Sequence, residues 1–197
     1  MNARESEVVA CKIKRYSAAE NIFVEEDKLT SVEIALEVFL NGEKFSVIFC
    51  SPGDLEDLII GILAQAGKIR SIEDVTNVTL DTKNFVAEVT TAPRNFLDFN
   101  PAQIFEPIRE VRFVAKDILD CADELLSSLA VTHVKTNGVH CGAIFDQTNK
   151  KILAFREDIG RHNVFDKLCG WSIRNRVDLS DKILIFSGRC SCDSTGK

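Results

Sequence analysis

Apolar and polar positions alternate between residues 32 and 40, a pattern typical of a half-buried strand. The alternation breaks at Asn41-Gly42, a dipeptide typical of tight β-hairpin turns, and a second apolar run begins at Phe45. We therefore predict a β-hairpin over residues 32–49.

A helix is predicted directly after this hairpin. Ser51 can act as its N-cap, and Pro52 suits the first helical position. Apolar residues then recur at helical spacing as far as Leu63, and Gly67 is a residue typical of a helix end. With a second hairpin over residues 75–90 and a strand-like stretch at 8–13, residues 1–92 are predicted to form a small α+β domain.

Three of the four prolines fall within residues 93–111, which predicts a connector between two domains. Residues 112–197 combine helical and strand-like patterns, so we expect a layered α/β domain there. Its predicted elements are a helix at 115–129, a short strand at 131–135, paired strands at 143–145 and 151–155, a helix from 164, and a buried strand at 181–186.

Composition restricts the function classes. The chain carries 30 acidic and 24 basic residues, a formal net charge of −6 that argues against a general nucleic-acid coat. No apolar run is long enough to span a membrane, and the charged start lacks a secretory signal, so we expect a cytoplasmic location. The seven cysteines are scattered and odd in number, which predicts reduced thiols.

The densest polar cluster lies between an apolar strand and an amphipathic helix: Arg156-Glu157-Asp158-Ile159-Gly160-Arg161-His162-Asn163. The N-terminus of that helix offers unpaired backbone N–H groups, and Arg156, Arg161 and His162 can donate to phosphate. Glu157 and Asp158 can orient the arginines or contact a ribose or a heterocycle. The alternative interpretation is a solvated turn with internal ion pairs.

Two further segments contain candidate reactive side chains. His140 and Cys141 lie between glycines and offer a nucleophile beside a base. Neighbouring residues of a strand point to opposite faces, however, so the two side chains need not touch. The alternative interpretation is that Cys141 is a small core residue. The Ser187-Gly188-Arg189 stretch follows the last predicted strand, and Cys190 and Cys192 after it can bind a soft metal, carry sulfur or be incidental. His133 is interpreted as structural.

A zinc site of the base-deaminase type needs His-x-Glu and a later Pro-Cys-x-x-Cys. Cys141-Gly142 follows His140, and neither the acidic residue nor the second motif is present. We therefore predict no metal site.

Several motifs together resemble those of the formate dehydrogenase accessory protein family (FdhD/NarQ), over about residues 32–197. They are Asn41-Gly42-Glu43, the 51–58 stretch with Gly61, Gly138-Val139-His140, the 156–163 run with Asp166-Lys167, and Ser187-Gly188-Arg189.

This resemblance implies a cytoplasmic sulfurtransferase and cofactor chaperone that forms dimers. Such a protein takes persulfide sulfur from a cysteine desulfurase and passes it to the molybdenum bis-molybdopterin guanine dinucleotide cofactor for insertion into formate dehydrogenase. It also implies a cytidine-deaminase-like three-layer α/β domain behind a smaller α+β domain. The implied cofactor-binding residues are His140, Arg156, Glu157, Asp158, Gly160, Arg161, His162, Asn163, Lys167, Ser187, Gly188 and Arg189.

The sequence departs from the family pattern in two ways. The sulfur-carrying Cys-x-x-Cys of the family falls in the connector, where residues 90–111 contain no cysteine, and family chains continue beyond the Ser-Gly-Arg stretch into a further segment. We expect either a sulfur-transferring accessory protein or a binding-only cofactor escort, with a small hydrolase using Cys141 and a histidine as a third alternative. As the carrier of a persulfide we rank Cys141 first and the Cys190/Cys192 pair second. The absence of any carrier cysteine is favoured over either choice.

Overall fold

A computed structural model describes residues 7–93 and 113–189 of the chain. Its elements are β1 (Val8–Ser17), β2 (Ile22–Ser31), β3 (Ile34–Leu40), β4 (Glu43–Cys50), α1 (Leu55–Gln65), a 3₁₀ turn (Ile72–Asp74), β5 (Val75–Asp81), β6 (Val86–Thr91), α2 (Ala115–Glu124), a π-helical turn (Leu125–Leu129), α3 (Val131–Thr136), β7 (His140–Asp146), β8 (Lys151–Asp158), α4 (Arg161–Arg174) and β9 (Ile183–Phe186).

The N-terminal half is built on a four-stranded sheet in the order β4-β3-β6-β5, in which β3 and β6 are parallel. The predicted hairpin is confirmed as β3–β4, because both Asn41 and Gly42 have the positive φ that its turn requires. One face of the sheet packs on α1, and their apolar side chains form a single core (Ile34, Leu36, Val38, Leu58, Ile59, Leu63, Ala87 and Val89). Strands β1 and β2 form a separate hairpin.

The C-terminal half is a three-layer arrangement around an antiparallel sheet in the order β8-β7-β9. On one face, Ile144 and Ala154 pack against Val164 and Leu168 of α4. On the other, Cys141, Ala143 and Phe155 pack against Leu125, the first residue of the π-helical turn, and Ala130, which follows the turn. The chain is therefore a mixed α+β protein with a layered second half, as predicted.

Helices α1 and α4 join the two halves by close backbone contact. A Cβ atom at Gly61 would collide with the carbonyl oxygen of Asp166, and one at Gly170 would collide with that of Asp57. Both positions thus require glycine, because no side chain fits between the helices. The predicted connector lies outside the described residues apart from its first residue, so the division into domains at 93–111 stays a prediction.

Three local predictions were wrong. Residues 131–135 form helix α3 instead of a strand. Helix α1 begins at Leu55, and its N-cap residue is Asp54 instead of Ser51. The final strand is shorter than predicted and only half-buried, because β9 is an edge strand of the described sheet and the side chain of Leu184 is exposed. No helix within residues 7–93 and 113–189 is long and apolar enough to cross a membrane.

Candidate anion-binding site

The polar cluster at 156–163 spans the end of β8 and the start of α4. Strand β8 ends at Asp158, and α4 begins at Arg161 with Gly160 as an N-cap that offers no side chain to the helix. The first backbone N–H groups of a helix lack partners within the helix, and its dipole places partial positive charge there. This geometry makes the turn a place where an anion can bind.

Asp158 holds the turn from inside. Its Oδ2 lies 2.7 Å from Nζ of Lys167, and both side chains are fully buried. The same oxygen accepts a hydrogen bond from the Ser51 N–H, whereas Oδ1 accepts from the Gly160 N–H and from Asn163 Nδ2. The buried charge is therefore paired and hydrogen-bonded, so Asp158, Lys167 and Asn163 stabilise the fold at this point.

Arg156 also points inward. Its Nε donates to Oδ2 of Asp57 at 2.9 Å, and its Nη1 donates to the carbonyl oxygen of Phe155. Asp57 is itself buried and also accepts from Arg174 of α4. The sequence placed Arg156 on the anion-binding edge, but the structure commits its guanidinium to an internal ion pair, because Asp57 arrives from α1.

Glu157 lies on the opposite face of the sheet and caps helix α3. Its carboxylate accepts hydrogen bonds from the backbone N–H groups of Thr132 at 3.2 Å and His133 at 2.7 Å. These groups belong to the first turn of α3, where N–H donors need such partners. The internal ion pairs of the alternative interpretation are therefore present at Arg156 and Asp158, but the turn is not solvated there, because Glu157 and Asp158 are buried.

Arg161 and His162 lie at the start of α4. The Nε of Arg161 is buried and has no hydrogen-bond partner within the described residues, whereas the His162 side chain is exposed. A buried donor without an acceptor is costly, and a bound anion would satisfy it. His140 lies near this guanidinium: burial lowers the pKa of its imidazole, and the charge of Arg161 lowers it further.

The Ser187-Gly188-Arg189 stretch runs beside His140. The Ser187 hydroxyl accepts a hydrogen bond from the Cys141 N–H, and the Ser187 N–H donates to the Cys141 carbonyl, which together hold this stretch against β7. A Cβ at Gly188 would lie 2.6 Å from the Phe186 ring and 3.2 Å from His140 Nδ1. Glycine thus allows the backbone to approach the imidazole, and Arg189 follows in an exposed position.

Cys141 does not share this surface. His140 and Arg156 lie on the sheet face toward α4, whereas the Cys141 thiol is buried on the opposite face against Leu125 and Ala130. Burial raises the pKa of the thiol above its ordinary value. A role as nucleophile or persulfide carrier requires an accessible thiolate, so the geometry gives Cys141 the alternative role of a small core residue.

Other cysteines among the described residues are also free thiols with raised pKa values. All five between Cys11 and Cys169 are free thiols. Burial raises the pKa of Cys50 to about 12 and those of Cys121 and Cys169 to about 11. Cys190 and Cys192 lie outside the described residues.

Two further features of the described residues concern this site: the grouping of metal-ligand side chains and the positions of cavities. Within residues 7–93 and 113–189, no group of three His, Cys, Asp or Glu side chains is placed to hold a metal ion. One cavity of about 340 Å³ lies between β4 and α1, and another of about 290 Å³ lies between α4 and β9. His140 and Arg161 do not line either of these two cavities.

Sequence reasoning missed the partners from the N-terminal half. Ser51 and Asp57 contact the cluster although more than 90 residues separate them from it, and only their position in the motif at 51–58 marked them.

Comparison with known proteins identifies the family. The profile of the FdhD/NarQ family matches residues 31–104 and 94–197. The chain is 30% identical over 198 residues to a protein of Geobacillus kaustophilus named sulfur carrier protein FdhD, with 87% of this chain and 72% of that protein covered. It is 32% identical over 183 residues to the protein of the same name from Staphylococcus aureus, with 82% and 68% covered.

A solved structure shares the fold. The crystal structure described as a candidate formate dehydrogenase accessory protein from Desulfotalea psychrophila superposes with a TM-score of 0.79 at 21% identity, covering 95% of this chain and 76% of that one. Because the profile match spans well over half of the chain, and relatives at 30% identity or more are covered over two thirds of their length, the chain belongs to the FdhD/NarQ family.

Proposed function

We propose that this protein is a formate dehydrogenase accessory protein that binds the guanine-nucleotide end of the bis-molybdopterin guanine dinucleotide cofactor at the N-terminus of α4. The relatives named sulfur carrier protein FdhD support the general role. The observation that carries the proposal is the buried, unpartnered Nε of Arg161 at the start of α4.

The residues at this edge suit a phosphate group. The first N–H groups of α4 and the positive end of its dipole favour an anion, and the Arg161 guanidinium adds a charged donor. His162 is exposed on the same turn. A diphosphate would bring acceptor oxygens to the Nε–H of Arg161, which has no acceptor among the described residues.

His140 and Gly188 provide a different kind of contact. Burial and the charge of Arg161 lower the pKa of His140, which favours the neutral imidazole, and a neutral imidazole can both donate and accept a hydrogen bond. Gly188 allows the backbone to lie against this imidazole. In this proposal the pair contacts the ribose or the base, and Arg189 extends the positive edge.

The internal residues of the cluster keep the edge in place. Asp158 and Lys167 fix the turn before α4, and Arg156 joins β8 to α1 through Asp57. They act on the cofactor through the position of Arg161 and not by contact.

A second candidate function is a cofactor escort that does not transfer sulfur. The burial of Cys50, Cys121 and Cys141 and their raised pKa values favour it. In both candidates the protein acts in the cytoplasm as a homodimer and delivers cofactor to formate dehydrogenase. Only the first requires a cysteine desulfurase as a partner.

The proposal can be tested by purifying the chain from bacterial cells that make the cofactor and lack their own FdhD. Acid-released guanine nucleotide and molybdenum are then quantified in the wild-type protein, in Arg161→Ala and in Arg176→Ala. Arg176 is the matched control, because it is exposed and pairs with Glu73 beyond the opposite end of α4. We expect nucleotide in the wild type and in the control, and its loss in Arg161→Ala. Wild-type protein without nucleotide or molybdenum contradicts the proposal.

The same cells can be used to distinguish the two candidate functions. Formate dehydrogenase activity restored together with a persulfide on the protein, detected by mass spectrometry, supports sulfur transfer. Bound cofactor without any persulfide supports the escort.

A further inference from the structure

We infer that Ser51, from the N-terminal half, is a positioning residue that sets the geometry of the anion-binding turn at the start of α4. This inference rests on the proposed function and adds a residue that lies outside α4 and has no assigned contact with the cofactor. Ser51 follows β4, more than 100 residues from the turn in sequence.

All three polar groups of Ser51 are used by the β8–α4 region. Its hydroxyl accepts a hydrogen bond from the Ile159 N–H at 3.0 Å, and its own N–H donates to Asp158 Oδ2 at 3.1 Å. Its carbonyl oxygen lies 3.5 Å from Nζ of Lys167. The residue is only 2% exposed, so water does not compete for these contacts.

The hydroxyl contact is the one that reaches the site. Ile159 is the second residue before Arg161, and the Gly160 between them offers no side chain that fixes the backbone. The contact with Ser51 therefore acts together with Asp158, which accepts from the Gly160 N–H, to fix where the chain enters the helix. Neighbouring Asn163 is also held by the N-terminal half, since its Nδ2 donates to the Phe49 carbonyl oxygen.

Loss of the hydroxyl has a consequence beyond stability. The Ile159 N–H would lose its acceptor, and the turn would relax toward solvent to find another. Arg161 would shift with it and change its distance from His140. Because the charge of Arg161 helps to lower the pKa of His140, the His140 titration reports the position of the turn.

The test compares Ser51→Ala, Ser51→Thr and Ser71→Ala in the full chain. Threonine keeps the hydroxyl, and Ser71 is a control that precedes the 3₁₀ turn Ile72–Asp74, near the opposite end of α4. Guanosine diphosphate affinity is measured by calorimetry and the His140 titration by NMR, at a temperature where each variant is folded. We expect Ser51→Ala to weaken binding about fivefold to twentyfold and to raise the His140 pKa. Ser51→Thr should restore both, and Ser71→Ala should change neither.

Folded Ser51→Ala with the wild-type His140 titration overturns the inference, whatever its affinity. If Arg161→Ala loses binding while Ser51→Ala does not, the proposed function stands and the role of Ser51 is wrong. If the wild type does not bind the nucleotide, the proposed function fails, and the His140 titration alone decides whether Ser51 positions the turn. Ser51→Cys, which keeps the shape of the side chain but replaces the oxygen with a larger sulfur that is a weak acceptor, gives the same comparison if Ser51→Ala does not fold.

Discussion

Arg156 Nε donates to Oδ2 of Asp57 at 2.9 Å, which ties the first residue of the polar cluster to helix α1. Arg174 of α4 donates to the other oxygen of the same carboxylate at 2.6 Å. Asp57 is 2% exposed, so one buried carboxylate connects α1, β8 and α4. The two halves of the chain are thus joined by charge as well as by the contact of Gly61 and Gly170.

We predict that Asp57→Ala destabilises the fold strongly. The substitution removes the buried carboxylate from the half-buried Arg156 and leaves it the more exposed Asp54, 3.5 Å from its Nε. Removing one partner of a buried ion pair typically costs about 3–5 kcal/mol. The free energy of unfolding from urea denaturation measures the effect. Glu56→Ala is the matched control, because Glu56 forms an exposed pair with Arg174 and should cost less than about 1 kcal/mol. Equal losses of unfolding free energy in Asp57→Ala and Glu56→Ala would contradict a stabilising role of the buried Asp57–Arg156 pair.

Gly170→Ala should also destabilise the protein. Alanine is the better helix former by about 1 kcal/mol, so helix propensity alone predicts a gain in stability. The new Cβ would instead collide with the backbone of Asp57, which has no flexible side chain to move aside. Thermal denaturation should therefore show a lower Tm, and a higher one contradicts the close approach of α1 and α4.

Glu7 gives a prediction for pH. Its pKa is raised, chiefly because its carboxyl is buried, and Glu157 and Asp54 raise it further against the opposing Thr132 hydrogen bond and the charge of Lys167. A carboxyl with a raised folded-state pKa stabilises the fold below its unfolded pKa, and this contribution is lost as pH rises through the folded pKa. We expect Glu7→Gln to be more stable than the wild type at neutral pH.

This advantage should shrink as the pH is lowered to about 4, where Glu7 is protonated in both states. The measurement is the free energy of unfolding of both proteins across that range. Glu73→Gln is the control of opposite sign, because hydrogen bonds to its own backbone, Ser71 and Arg176 lower the pKa of Glu73. A Glu7→Gln advantage that is constant with pH would show that ionisation is not its cause.

Thiol reactivity tests the assignment of the cysteines. Cys50, Cys121 and Cys141 are buried and their pKa values are raised, so iodoacetamide should modify them slowly in the native protein at pH about 8. Half-exposed Cys11 serves as the internal control and should react before these three. Peptide mapping by mass spectrometry gives the order, and rapid native labelling of Cys141 would restore it as a candidate sulfur carrier.

The local pattern was sufficient to predict the β3–β4 hairpin and the β7–β8 pair. Side-chain alternation and the turn dipeptide Asn41-Gly42 act within a few residues, so a short window of sequence contains the determinants. Gly67 was likewise a reliable end for α1, since it has a φ of 69° just beyond the helix.

The errors arose from contacts distant in sequence. Residues 131–135 are rich in β-branched side chains and read as a strand, but Glu157 of β8 caps this segment and stabilises it as helix α3. Ser51 read as the cap of the helix next to it, yet its hydroxyl accepts from Ile159 instead. Contacts distant in sequence also determine the site. The sequence alone could not show that Arg156 pairs with Asp57 of α1 instead of facing the anion-binding edge.

The central claim is that Arg161 binds an anionic nucleotide at the start of α4. The most direct measurement is a calorimetric titration of the wild-type protein, Arg161→Ala and the control Arg176→Ala with guanosine diphosphate, with guanosine as the ligand that lacks phosphate. We expect Arg161→Ala to weaken diphosphate binding by about 1–3 kcal/mol, roughly fivefold to more than a hundredfold, and Arg176→Ala to leave it unchanged. Guanosine should bind both arginine variants and the wild type with similar, weaker affinity. Equal affinity of the wild type and Arg161→Ala for guanosine diphosphate would contradict the claim.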